Sequence, residues 1–161
     1  MGVVNMKTIS FFGHRRIFQS DIVGQKIIKV LQEIALKEQV NLLIGTHGDF
    51  DNLVLLKCLE FRKRFNNDVK ITVVLTSLSP LNKNKFGYSG ADFYIKENCQ
   101  TMIYEIEEVY FKNKITITNK KMVDNSDLVV CYVDFNKQLS GAKKAVIYAL
   151  KQDKKVINLF S

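Results

Sequence analysis

The stretch Lys7-Thr8-Ile9-Ser10-Phe11-Phe12-Gly13-His14-Arg15 runs from a short apolar segment into a glycine break. The same pattern returns twice. Val40 to Ile44 leads into Gly45-Thr46-His47-Gly48-Asp49-Phe50-Asp51, and Leu128 to Val133 is followed shortly by Ser140-Gly141-Ala142. Short continuous apolar runs are the pattern of strands covered on both faces. In an open α/β sheet, ligands bind just past the carboxyl ends of the strands. Three such loops predict one polar, glycine-lined pocket and a ligand-binding role.

Between the breaks the period changes to that of helices. Ile22, Val23, Ile27, Val30, Leu31, Ile34 and Ala35 recur at helical spacing, which predicts a helix over Asp21 to Lys37 with Ser20 as its cap. Gln39 to Ile44 reads as a second strand, Asn52 to Phe65 as a helix and Val69 to Leu75 as a third strand. A βαβαβ run predicts a parallel sheet with right-handed crossovers. Further on, Thr118 to Ser126 reads as a short helix and Leu128 to Val133 as the fourth strand. Leu139 to Gln152 reads as a helix and Val156 to Phe160 as the last strand. The predicted fold is one α/β domain, a Rossmann-like three-layer sandwich. Its mostly parallel sheet has about five strands in the order 3-2-1-4-5, with the switch point between the first and fourth.

The span from Thr76 to Asn98 is less regular, with Pro80, Asn82-Lys83-Asn84-Lys85 and Gly87 to Gly90. It reads as a long loop, either a lid over the pocket or a surface connection. Ala91 to Ile95 reads as a short extended piece. Cys99 to Phe111 alternates between helical and amphipathic character, with Met102, Ile103, Ile106, Val109 and Tyr110 on one stripe.

Composition narrows the function classes. The chain has 161 residues, enough for one domain with a real core, and is 47% hydrophobic and 25% charged, as soluble globular proteins are. No apolar run approaches the roughly 18–20 residues of a membrane span, and Met1 to Lys7 lacks the parts of a signal peptide. Met6 is a second candidate start, with Met1 to Asn5 a short extension. Cys58, Cys99 and Cys131 have no metal-ligand spacing. Cys58 and Cys131 read as buried reduced thiols, which fits a cytoplasmic setting. The net charge is +8, and apart from Arg15, Arg16, Arg62 and Arg64 the cations are scattered lysines. Scatter favours a solvated lysine surface over a polyanion groove, so nucleic acid is the weaker candidate partner.

Each break carries its own chemistry. Gly13 lets the chain turn off the strand, and Arg15 offers a forked contact to phosphate or carboxylate. His14 is either a ligand contact or a structural cap. Gly45 and Gly48 permit close backbone approach at Thr46 and His47. Asp49 and Asp51 read as helix caps or as acceptors for a ribose diol. His47 with Asp49 is too small a set for a metal site. In the third region Ser140 can cap a helix whose N–H groups suit an anion, and Gly141 lets a phosphate or sugar come close. Asp127 reads as an orienting structural acid, Asp134 as a candidate ligand contact, and Met122 as a core residue or the floor under a base.

Taken together these residues resemble the SLOG superfamily, which joins the Smf DNA-processing proteins with the Lonely Guy phosphoribohydrolases. The nearest likeness is to its small YpsA-like branch, found in bacteria and phages. The matching motifs are Phe11 to Arg15, Gly45 to Asp51, Met122 to Asp127, Leu128 to Val133 and Ser140 to Ala142, in the branch's order. The resemblance implies a Rossmann-like domain that binds a nucleotide or an ADP-ribose-like derivative, and a homodimer. It implies ligand contacts at Gly13, His14, Arg15, Gly45, Thr46, Gly48, Asp49, Asp51, Met122, Asp134, Ser140 and Gly141. Two departures stand out. Lys120-Lys121 replace the branch's Arg-Asn, and Ser140 replaces the first glycine of Gly-Gly-Ala. The Lonely Guy enzymes also carry a Pro-Gly-Gly-x-Gly-Thr-x-x-Glu motif with a catalytic glutamate. Here Ile147 stands at that position, so their chemistry is not expected. The alternatives are an N-glycosidic-bond hydrolase or transferase using Asp49, Asp51 or Asp134, and a nucleic-acid-binding protein.

Overall fold

The computed structural model describes residues 5–36, 38–77 and 90–160. Its spine is a six-stranded sheet in which every pairing is parallel. In chain order the strands are β1 Lys7–Gly13, β2 Val40–Ile44, β3 Lys70–Leu75, β4 Gln100–Ile103, β5 Leu128–Tyr132 and β6 Lys155–Asn158. The helices are α1 Ser20–Ala35, α2 Asp49–Arg64, α3 Gly90–Lys96, α4 Lys114–Asp124 and α5 Gly141–Lys151. The strand order is β4-β3-β2-β1-β5-β6. The five predicted strands hold their predicted order, and β4 is added at one edge.

Alternation along the strands makes two cores. Ile9, Phe11, Leu42, Ile44, Ile71, Val73 and Val130 point to one face, where they meet Val23, Ile27 and Leu31 of α1 and Phe50, Val54 and Phe61 of α2. Phe12, Leu43, Val74, Val129 and Cys131 point to the other, beneath Met122 and Val123 of α4 and Ala145, Val146 and Ala149 of α5. Among these the sheet residues are buried on both faces, which explains the continuous apolar runs. Cys58 and Cys131 are buried free thiols, and Cys99 is half-buried and free. Burial pushes the Cys131 thiol up to about 12, so it is protonated and inert at neutral pH.

Polar ties fix β1 in the centre. Thr8 N donates to the Asp127 carboxylate at 2.8 Å, and Asp127 N donates back to Thr8 O at 2.8 Å. Asp127 therefore has the orienting role expected of it. Ser10 is fully buried on the α4 face, beside Ser126. Ser126 Oγ donates to Met122 O at 2.6 Å, and Ser10 Oγ donates toward the same carbonyl at 3.2 Å. Two buried hydroxyls and one carbonyl thus satisfy one another and dock the end of α4 on β1.

Four local expectations are corrected. Gln100–Ile103 is a strand rather than the start of an amphipathic helix, because it pairs with β3 from Thr72↔Gln100 to Leu75↔Ile103. Residues 90–96 form a helix, not an extended piece. The α1 cap is Gln19 in the left-handed region (φ 56°), with no side-chain cap bond, and Ser20 is already helical. At α2 the cap position belongs to Gly48, so neither Asp49 nor Asp51 is the N-cap. Most of the irregular span read as a lid or connection, 78–89, lies outside the described residues. No described helix is long and apolar enough to cross a membrane.

Candidate functional site

Strands β1 and β5 are neighbours, and the chain leaves them toward opposite sides of the sheet. Their carboxyl ends therefore open a crevice at the switch point. A cleft of about 280 Å³ lies there. Gly13 at the end of β1 with His14 and Arg15 after it, Gly45 and Asp51 after β2, and Ser140 and Gly141 at the start of α5 all line it, with Met122 of α4. The three breaks do converge. Of the other expected residues, Thr46, Gly48, Asp49 and Asp134 do not line the cleft; the last three support it.

The support is steric as well as polar. A Cβ on Gly13 would stand 2.2 Å from Phe50 Cγ, and one on Gly45 would stand 2.7 Å from Asp51 Oδ2. Gly48 has φ +108°, a conformation that favours glycine, and a Cβ there would stand 2.5 Å from Arg15 Cα. Asp49 N donates to Arg15 O at 2.7 Å, so the loops after β1 and β2 are bound to each other. Phe50 is fully buried under Gly13 and stacks on Tyr132 with ring centroids 6.1 Å apart.

Asp51 is the unusual group. It is only 8% exposed, and its Oδ2 accepts from His47 N at 2.8 Å. Burial raises its carboxyl to about 7, against the lowering effect of that hydrogen bond. Near neutral pH it is thus shared between acid and carboxylate. The imidazoles are shifted the other way. Burial first, then Arg15 and Lys114, lowers His47, whose Nε2 lies 3.2 Å from Thr76 Oγ1. Burial first, then Lys137, lowers His14. His14 Nε2 accepts from Asp134 N at 2.9 Å, which assigns the neutral tautomer with the proton on Nδ1. Asp134 acts here through its backbone. Its side chain accepts from Asn136 N at 3.0 Å.

The α5 wall is open. Ser140 Oγ caps the helix by accepting from Lys143 N at 3.2 Å, and Ser140 O accepts from Lys144 N at 2.9 Å. The N–H groups of Gly141 and Ala142 precede the first intrahelical donor and have no intrahelical partner. A Cβ on Gly141 would meet nothing within 4 Å. Arg15, exposed at the rim, adds a positive charge.

Sequence reasoning missed Thr76, Ile115, Thr118 and Asn119, which also line the cleft. For Thr76 the signal was present: it directly follows the end of β3, as Gly13 and Gly45 mark the ends of theirs. The three α4 residues sit mid-helix and carry no such mark. Thr46 Oγ1 is sealed from solvent and, among the described residues, has no hydrogen-bond partner. Among the described residues no three His, Cys, Asp or Glu side chains gather as a metal site would require.

The chain matches no protein-family model, and no curated protein matches it.

Proposed function

We propose that the cleft binds a nucleotide or nucleotide-derived ligand, with its phosphate on the N-terminus of α5 and its base on the apolar wall beside Met122. The observation that carries this reading is Gly141. The other cleft glycines, Gly13 and Gly45, are required by the fold, because a Cβ would strike Phe50 or Asp51. At Gly141 the protein itself leaves the space free. A glycine at a helix start, with unengaged N–H groups and open space above it, is what a bound anion needs. Arg15 stands ready to add a forked contact at the rim. The volume, about 280 Å³, lies just below the usual range of ligand pockets, roughly 300–1,000 Å³. A single nucleotide suits it, and an ADP-ribose-like ligand would reach past the rim.

The reading also rests on the resemblance to the YpsA-like branch of the SLOG superfamily, from which a homodimer is proposed as well. Thermal-shift and calorimetric screening of nucleotides tests the first proposal. Micromolar binding of at least one nucleoside phosphate is expected, and no binding by folded protein across the panel defeats it. A dimer mass in light scattering is expected, and a monomer mass contradicts the second.

One observation favours a second reading, cleavage of an N-glycosidic bond. Asp51 is a buried carboxyl that keeps its proton to near neutral pH and lines the cleft. It could donate that proton to a leaving base as the C–N bond breaks, while water adds to the sugar carbon and its surplus proton passes to solvent or back to the Asp51 carboxylate. Release of free base from nucleotides, abolished in Asp51→Asn, supports this reading. No turnover across a broad panel removes it.

A further inference from the structure

The polar groups of the cleft fall into two sets. On the β1, β2 and β3 side they are largely engaged with one another: His47 with Thr76, Asp51 with His47 N, and His14 with Asp134 N. On the α4 side they are not. Ile115, Thr118, Asn119 and Met122 all line the cleft at spacings of three, four and seven, which places them on one face of the helix. Thr118 is 2% exposed. Among the described residues its hydroxyl meets no hydrogen-bond partner, and its oxygen is not sealed from solvent. The Asn119 carboxamide likewise meets none among the described residues. A ligand that displaces water from this hydroxyl strands it unless it offers a hydrogen bond in return, so a molecule bound here is expected to pair with it.

Place and chemistry identify the part of the ligand that pairs with them. Asn119 stands beside Gly141: the two also share a shallow depression with Lys120 and Lys144. Asn119 thus lies next to the helix N-terminus proposed for the phosphate, and the buried Thr118 lies deeper than the exposed Gly141. One step inward from the phosphate of a nucleotide is the sugar. A hydroxyl and a carboxamide each donate and accept, as the hydroxyls of ribose do. Phe12, Val74, Ile115 and Met122 supply the remaining apolar wall, which has no polar atoms of its own to read a base edge.

We infer that Thr118 and Asn119 are the sugar-reading pair of this cleft, and that its ligand is a ribose phosphate ester recognised by its sugar and tolerant of its base. This inference rests on the nucleotide reading above. It predicts that the ribose 5-phosphate portion supplies the specificity, and the base only apolar contact.

Calorimetry on the full chain tests it with ribose 5-phosphate, the four ribonucleoside 5′-monophosphates, and the 2′- and 3′-deoxy forms of AMP. The four ribonucleotides are expected to bind within about tenfold of one another, and ribose 5-phosphate to bind without a base. Loss of one sugar hydroxyl is expected to cost about tenfold, the scale of one buried hydrogen bond. In Thr118→Val the ribonucleotides weaken about tenfold, and the difference between ribo and that deoxy form disappears. The same comparison in Asn119→Ala, at a half-buried position, covers the case in which Thr118→Val fails to fold. Nucleotide binding that ignores both hydroxyls, or that selects one base by far more than tenfold, overturns the inference and leaves the nucleotide reading standing. Equal weakening of ribo and deoxy forms in both variants also overturns it. No binding of any probe overturns both.

Discussion

Replacing Asp51 by asparagine should make the protein's stability less dependent on pH, and the direction follows from burial. The carboxyl packs against Gly45, with its Oδ2 held by His47 N at 2.8 Å. Its pKa is raised from 3.8 to about 7 on folding. Below 3.8 the group is neutral in both folded and unfolded chains, so it contributes nothing to pH dependence. Between 3.8 and about 7 the unfolded chain ionises while the folded chain keeps its proton, so folding is penalised progressively as pH rises. Above 7 the penalty is complete. A gap of about three units corresponds to about 4 kcal/mol, at 1.36 kcal/mol per unit, as an upper figure. Asparagine keeps an acceptor for His47 N and has no charge to desolvate. Urea unfolding of both proteins from pH 4 to pH 8 gives the difference in stability at each pH, and the other titrating groups cancel. The stability of Asp51→Asn relative to the parent should climb by several kcal/mol across that window. A flat difference, or one that falls with pH, would show that Asp51 is ionised in the fold and refute the reasoning.

Two further substitutions probe the frame around the cleft. Gly13→Ala places a methyl 2.2 Å from Phe50 Cγ, so it should cost about 1–3 kcal/mol or more and lower the melting temperature. Ser126→Ala removes the shorter hydrogen bond to the Met122 carbonyl and leaves only the longer one from Ser10, and should cost about 1 kcal/mol in denaturant unfolding.

The central strands were legible because burial on both faces writes continuous apolar runs such as Leu42-Leu43-Ile44 and Leu128 to Cys131. Strand β4 was not. Gln100, Thr101 and Ile103 are exposed at the sheet edge, so nothing forces an apolar pattern on them. The α1 start misled for a different reason. Ser20 has the chemistry of a cap, yet the turn is made one residue earlier by Gln19 in a left-handed conformation that its sequence does not announce. In the cleft, Gly13, Gly45 and Gly141 were legible because they follow strands or open a helix. Thr118 and Asn119 were not, since a threonine and an asparagine within an amphipathic helix look like ordinary surface positions. Asp49 and Asp134 show the converse: both stand in the expected loops, but their backbone N–H groups bind Arg15 O and the His14 ring. Sequence placed them near the site and could not tell backbone from side-chain duty.

The claim that Gly141 is kept open for a ligand has one direct test, the substitution Gly141→Val measured for both stability and nucleotide binding. Because a Cβ there meets nothing within 4 Å, the melting temperature should stay within a few degrees of the parent. Nucleotide affinity, measured by calorimetry, should fall at least tenfold, because the new side chain fills the place of the phosphate. A variant that binds nucleotide as tightly as the parent would contradict the account.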